Sequence, residues 1–327
     1  MRAFAFILGF GALALAAPVL AQTRAAPPAK PPPASAEAPK PQAGDSALDL
    51  AYGAFQRGFY LTALAEATKR AEANDPDAMT LIGELYAQGL GVGRDDAKAA
   101  EWYKLAAAQG DRDAIFRLAM FNFEGRAGPR NPQEGARLLA EAAKLGHALA
   151  EYDLGLLYLE GRQFPQDFKR AAELFRSAAT TGNPEAQYAL GTMYKEGRGV
   201  PKDSQEAMKL MEAAAVAGNL DATVEFAIAQ FNGDGTAKNE SAAAALFLRA
   251  ARRGSPIAQN RLARILMAGR GMPADPTEAI KWHLIAKAGG AGDPDLDVYA
   301  GKQSKEAREA ADKAAKTWLS TAAPPRS

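Results

Sequence analysis

From Asp75 to Gly290 the apolar positions of the chain recur with two periods at once. A short period of three and four residues is nested in a long one of 36 residues, which runs six times without insertion or deletion. In the block Asn183 to Gly218 the first half sets Ala186, Leu190, Gly191 and Tyr194 along one helical face. The second half sets Ala207, Leu210, Met211, Ala214 and Ala215 along another. Each block therefore predicts a pair of amphipathic helices. An unvarying glycine column, Gly89, Gly125, Gly161, Gly197, Gly233 and Gly269, stands where the first helix must stop. A left-handed residue there costs glycine little, and costs a residue with a Cβ about 1 kcal/mol or more. The second helix starts at a column of side chains that accept hydrogen bonds from exposed helix N–H groups: Asp95, Asn131, Asp167, Asp203, Asn239 and Asp275. Asn131-Pro132 with Glu134, and Asp275-Pro276 with Glu278, add a first-turn proline and a glutamate three residues after the cap.

Other columns vary only within one physical type. Gly83, Ala119, Gly155, Gly191, Ala227 and Ala263 keep a small residue where a partner helix presses closest, and Ala106, Ala142, Ala178, Ala214, Ala250 and Ala286 do the same on the second helix. Trp102, Leu138, Leu174, Leu210, Leu246 and Trp282 keep a bulky one. The pattern A-x-Y-x-L-G-x-x-Y-x-x-G-x-G-V-x-x-D, followed by A-x-x-x-x-x-x-A-A-x-x-G, stands almost whole from Ala186 to Gly218. In this it resembles Sel1-like repeats, relatives of tetratricopeptide repeats, over residues 75–290, in an exported bacterial-type member. The resemblance implies an all-α, right-handed α-solenoid of helix-turn-helix repeats, with the first helices lining a concave inner face and with binding of other proteins as the usual role. Departures are local: Asn122, Gln230 and Leu266 replace the tyrosine column, and Gly135 replaces a second-helix alanine. Looser packing is expected in those blocks.

The ends read differently. Residues 1–21, MRAFAFILGFGALALAAPVLA, carry one charge, an apolar stretch too short for a membrane span and a small-residue site ending at Ala21, the pattern of a secretory signal peptide. Residues 22–44 are a Pro/Ala-rich linker that cannot bury a core. Residues 45–74 read as an N-terminal capping helix pair and 291–320 as a C-terminal capping segment, in which Ala307, Ala311, Ala314 and Trp318 share a face. Residues 321–327 read as a disordered tail. The body is expected to be one elongated, monomeric domain. It is placed in the periplasm or outside the cell, or tethered to the inner membrane if the signal segment is left uncut.

Composition narrows the chemistry. There is no cysteine, so neither a lipid anchor nor a disulfide framework is available. Thirty-nine basic residues stand against 38 acidic ones, and removing Arg2 with the signal brings the balance to zero, which gives no steering toward nucleic acid. The two histidines, His147 and His283, hold different places in the repeat, and no metal, cofactor or catalytic residue is predicted. Gly89-Leu90-Gly91-Val92-Gly93 lacks the Gly-Lys-Ser/Thr of a phosphate loop. Acidic-Gly-Arg triplets at 124–126, 160–162 and 196–198 read as solvated loop charges, weak inter-repeat pairs or a charged ladder.

What remains free to vary is the inward side of the first helices. The tenth place of each block carries Glu84, Met120, Leu156, Thr192, Ile228 and Arg264, and the thirteenth Ala87, Phe123, Leu159, Lys195, Phe231 and Met267. Met120, Phe123, Tyr152, Leu156 and Leu159, with Phe116 on the rim, are read as an apolar trough for a peptide or helix of another envelope protein. The competing reading buries them between adjacent repeats. Function follows as a non-enzymatic adaptor in envelope maintenance or signalling. A peptidoglycan or carbohydrate binder and a β-lactam-related hydrolase are the alternatives.

Overall fold

The computed structural model describes residues 50–321, and the predicted signal segment, the linker and residues 322–327 lie outside that range. The described residues form sixteen α-helices and no strand. They fall into two compact units that divide between Leu138 and Leu139. The first holds α1 (Leu50–Gln56), α2 (Tyr60–Glu72), α3 (Pro76–Gln88), α4 (Asp96–Ala107), α5 (Arg112–Glu124) and the start of α6 (Pro132–Lys144). The second continues with α7 (Ala148–Glu160), α8 (Phe168–Thr180), α9 (Pro184–Glu196), α10 (Ser204–Val216), α11 (Leu220–Asn232) and α12 (Glu240–Arg252). It closes with α13 (Pro256–Ala268), α14 (Pro276–Ala288), α15 (Pro294–Gly301) and α16 (Lys305–Thr321). Where the sequence predicts one domain the chain divides inside α6. Stacked repeats share no common core, so neighbour contacts alone hold each unit together.

In the second unit each helix from α7 to α14 packs on the next in the chain, and α2 to α5 do the same in the first. The seam between the two helices of a block is set by size. Place 29 holds Tyr103, Leu139, Phe175, Met211, Phe247 and His283, none more than 2 % exposed, and each large apolar side chain buried there contributes roughly 1.5–3 kcal/mol. Opposite Tyr103 and Phe175 the first helix uses glycine. A Cβ on Gly83 would stand 2.5 Å from Tyr103 Cε1, and one on Gly155 2.6 Å from Phe175 Cε1. The small column thus answers the ring column within one block.

The ends of the helices follow the predicted chemistry. Asp95, Asn131, Asp167, Asp203, Asn239 and Asp275 each accept from a backbone N–H three residues on, at 2.9–3.1 Å. The stop glycines sit at φ 66–88°. The opening residue of each block proves to be a cap as well: Asp75, Asp111, Asn183, Asn219 and Ser255 cap their first helices through oxygen. His147 does so through Nδ1, which accepts from Ala150 N at 3.1 Å. A further glycine is needed for close approach. A Cβ on Gly199, Gly235 or Gly271 would come within 2.2–2.4 Å of the carbonyl oxygen of Phe168, Ser204 or Glu240 in the block before. Each inter-helix loop there rests on its neighbour's backbone.

At three of the four departures packing is close, while the buried Gln230 Oε1 has no hydrogen-bond partner among the described residues. Leu266 is buried, Asn122 Nδ2 donates to Leu118 O at 2.8 Å, and the space an alanine would fill at Gly135 is taken by the Phe123 ring, 3.0 Å from where a Cβ would stand. Residues 293–321 form two helices. Asp293-Pro294 repeats the cap-proline signal and starts α15, and α16 packs on α14 through Ala311, Ala315 and a 6.0 Å edge contact of Trp318 with Trp282.

Candidate functional site

The six side chains of the predicted trough are spread over both units, and their surroundings differ. In the first unit all three lie on α5. Phe116 and Phe123 are buried and Met120 is half-buried. Phe123 is withdrawn from any accessible rim because Gly135 leaves room for its ring beneath α6's first turns. In the second unit Tyr152, Leu156 and Leu159 on α7 are half-buried and pack against the cluster of Ala171, Ala172, Phe175, Leu190 and Met193. Tyr152 stands 5.6 Å from the Phe175 ring, and burial pushes its phenol up to about 12. These side chains serve the contact between α7, α8 and α9, and each of the three α7 residues keeps a partly open edge.

A different regularity organises the charges on the first helices. At two junctions the seventh place of a block reaches the tenth or thirteenth place of the block before. Arg117 Nε stands 3.3 Å from Glu84 Oε2 in the first unit. In the second, Lys195 Nζ donates to Glu225 Oε2 at 2.6 Å. Asp153, at the same place on α7, is half-buried with no hydrogen bond or ion pair to any described residue, and burial lifts its carboxyl to about 7. Along the sequence the seventh column reads Leu81, Arg117, Asp153, Ala189, Glu225 and Arg261, charged at four of its six places and of both signs.

The arginines of the acidic-Gly-Arg triplets divide their roles. Arg126 pairs with Asp96 and stacks on Phe121, and the hydrogen bond from Arg126 is the main reason the Asp96 carboxyl falls to about 2. Arg270, at the same place in its block, pairs with Glu240. Where the partner place holds Phe168, Arg198 lies over that ring at 4.4 Å instead. Arg162 pairs within its own loop, with Glu160 at 3.8 Å. The arginines at this place therefore act mainly as staples from a loop to the start of the second helix in the block before, rather than as one continuous ladder.

Between α11 and α13 the first-helix face opens into a cavity of about 310 Å³. Its apolar walls are Ile228, Phe231 and Met267, and Arg261, Arg264 and Arg270 surround them. Among the described residues there is no group of three or more His, Asp or Glu placed to hold a metal ion, and no helix long and apolar enough to cross a membrane.

His283, buried in the seam column, meets Asp297 through Nε2 at 2.8 Å, and Lys287 Nζ meets the same carboxylate at 2.8 Å. Its Nδ1 has no partner. This pairing ties α14 to α15 and lies away from the cavity.

Set beside known proteins, the chain matches the Sel1 repeat family model at residues 76–111, 112–147, 148–183, 184–219, 224–255 and 256–290. Among solved structures it is similar to a Sel1 repeat protein from Oxalobacter formigenes, with 28% identity, coverage of 72% of this chain and 94% of that one, and a TM-score of 0.62. It is also similar to c5321, described as a protective antigen present in uropathogenic Escherichia coli strains displaying an SLR fold. There identity is 24%, coverage is 80% of this chain and 64% of that one, and the TM-score is 0.57. No curated protein matches the chain.

Proposed function

Because the chain belongs to the Sel1-repeat family, whose members generally mediate protein–protein interaction, we propose that it is an exported, non-enzymatic adaptor that holds a protein of the cell envelope on its first-helix face. The observation that carries this reading is the contrast among columns. The seam, the caps and the stop glycines repeat one chemistry throughout, while the tenth and thirteenth places change from acid to apolar to base on an unchanging frame. A surface of fixed spacing and variable chemistry suits recognition of another chain. Export rests on the signal pattern of residues 1–21, and the linker of 22–44 would give the body reach from wherever the N-terminus lies. On α7 the open edges of Leu156 and Leu159 are the part of the trough offered to a partner, and Met120 is the corresponding residue on α5.

Crosslinking in intact cells followed by mass spectrometry tests this reading, with a Leu156→Glu/Leu159→Glu variant as control. Envelope proteins recovered with the wild-type chain and lost with a variant that still melts cooperatively are the expected result. Recovery of no protein above background, or an unchanged set with the variant, would reject it. Sequencing the N-terminus of the cellular protein gives the export arm, expected to begin at Gln22.

A further inference from the structure

The cavity between α11 and α13 lies at a junction where a charged seventh place, Arg261, finds no counter-ion in the block before, as Asp153 on α7 also does not. At Glu84 and Arg117, and again at Lys195 and Glu225, the seventh-place charge of one block finds its counter-ion at the tenth or thirteenth place of the block before. One block further on, the seventh place is Arg261 and the preceding tenth and thirteenth places are Ile228 and Phe231. The apolar pair offers no counter-charge, and Arg261 is exposed with no hydrogen bond or ion pair to any described residue.

The other two guanidinium groups around the cavity are already neutralised. Arg264 is held by Asp293 and by Asp295, the latter at 3.2 Å. Arg270 is held by Glu240 and lies over the Phe231 ring at 4.5 Å from its centre. These contacts fix the walls of the cavity and leave a single uncompensated cation at the edge of an apolar floor.

The geometry points to a docking site for a peptide segment that carries an aspartate or glutamate beside a large apolar side chain. The carboxylate replaces the absent tenth- or thirteenth-place acid against Arg261, where a guanidinium can engage both oxygens. The apolar side chain enters between Ile228, Phe231 and Met267. A volume of about 310 Å³ lies at the small end of ligand pockets and suits a short segment rather than a whole helix. One free guanidinium matches one carboxylate, whereas a phosphate, with its larger charge, calls for a cluster of arginines. This inference deepens the adaptor reading by naming what part of a partner the second unit accepts, and it rests on that reading.

The test is to pan the immobilised full chain, and its Arg261→Gln variant, against a random linear dodecapeptide phage library. The wild-type chain is expected to enrich sequences with Asp or Glu within two positions of Leu, Ile, Phe or Met, and the variant to lose the acidic preference while keeping the apolar one. A synthetic wild-type consensus peptide should then bind the wild-type chain about tenfold or more tightly than its amide analogue, with Gln for Glu. The R261Q chain should bind the two alike. No retained peptide, a consensus without an acidic position, or a preference for the acid that survives R261Q would each overturn the assignment. Arg261 is solvent-exposed, so the variant is expected to fold, and its melting curve checks this. The crosslinking test reads Leu156 and Leu159 on α7. Partners found there without an acidic consensus here would defeat this inference and leave the adaptor reading standing.

Discussion

The seam inside each block and the inward face of the first helices are built on the same backbone repeat, yet they answer to opposite rules. In the seam, Gly155 against Phe175 and Gly83 against Tyr103 show side chains chosen in pairs, so that changing one without the other leaves either a clash or a hole. On the inward face, Glu84–Arg117, Lys195–Glu225 and Ile228/Phe231 beside Arg261 show one geometry filled with three different chemistries. Stability depends on the first arrangement and the recognition proposed above on the second, and the backbone places them on different sides of the same helix.

The largest expected effect comes from breaking the seam. Phe175→Ala removes a fully buried ring opposite a glycine that cannot fill the space, and is expected to cost about 3–5 kcal/mol, read as a loss in denaturant midpoint. A smaller effect, of opposite sign, is expected from Asp153. Its folded-state pKa of about 7 lies above the ordinary carboxylate value, so the folded state binds the proton more tightly than the unfolded one. Stability is then highest below about pH 4 for this group and falls as pH rises toward about 7. Asp153→Asn is therefore expected to raise the melting temperature at pH 8 by a few degrees, on the order of 2 kcal/mol, and to change little at pH 4. Equal effects at the two pH values would show that burial of the charge is not what the substitution relieves. The smallest effects belong to the exposed charges of the inward face. Lys195→Ala breaks the pair with Glu225 and is expected to cost under about 1 kcal/mol, whereas Arg261→Gln, with no internal partner to lose, should fall within about 0.5 kcal/mol of wild type. A large loss from either would erase the distinction between seam and face.

The architecture was legible in the residues because glycine, alanine and capping side chains are constrained by the backbone of their own block. The stop glycines, the second-helix caps and the small column could each be read from local chemistry alone. The opening residues of the blocks carry cap chemistry too, and His147 belongs with them because its Nδ1 accepts the same bond as the oxygens of its counterparts. The inward face was harder to read. Whether Phe123 is exposed depends on Gly135, a residue on the next helix, and whether Arg261 is paired depends on residue types 30 and 33 positions earlier, at Phe231 and Ile228. Hydrophobicity at the tenth and thirteenth places does not distinguish a side chain packed on its neighbour, such as Phe123, from one lining an opening, such as Phe231.

The contact of Gly199, Gly235 and Gly271 with a carbonyl of the block before also governs how such a protein can change over time. A loop that leans on its neighbour's backbone acts as a gauge. One residue more or fewer would lift the glycine off the carbonyl or drive it into it, and every later block would be set out of step. Inheritance therefore has two independent ways to vary the array: it can duplicate or delete whole 36-residue blocks, or it can exchange single side chains on the inward face. Intermediate lengths are disfavoured at the loops that make this contact, and a partner that fits one set of spacings can be kept while the number of blocks beyond it grows or shrinks.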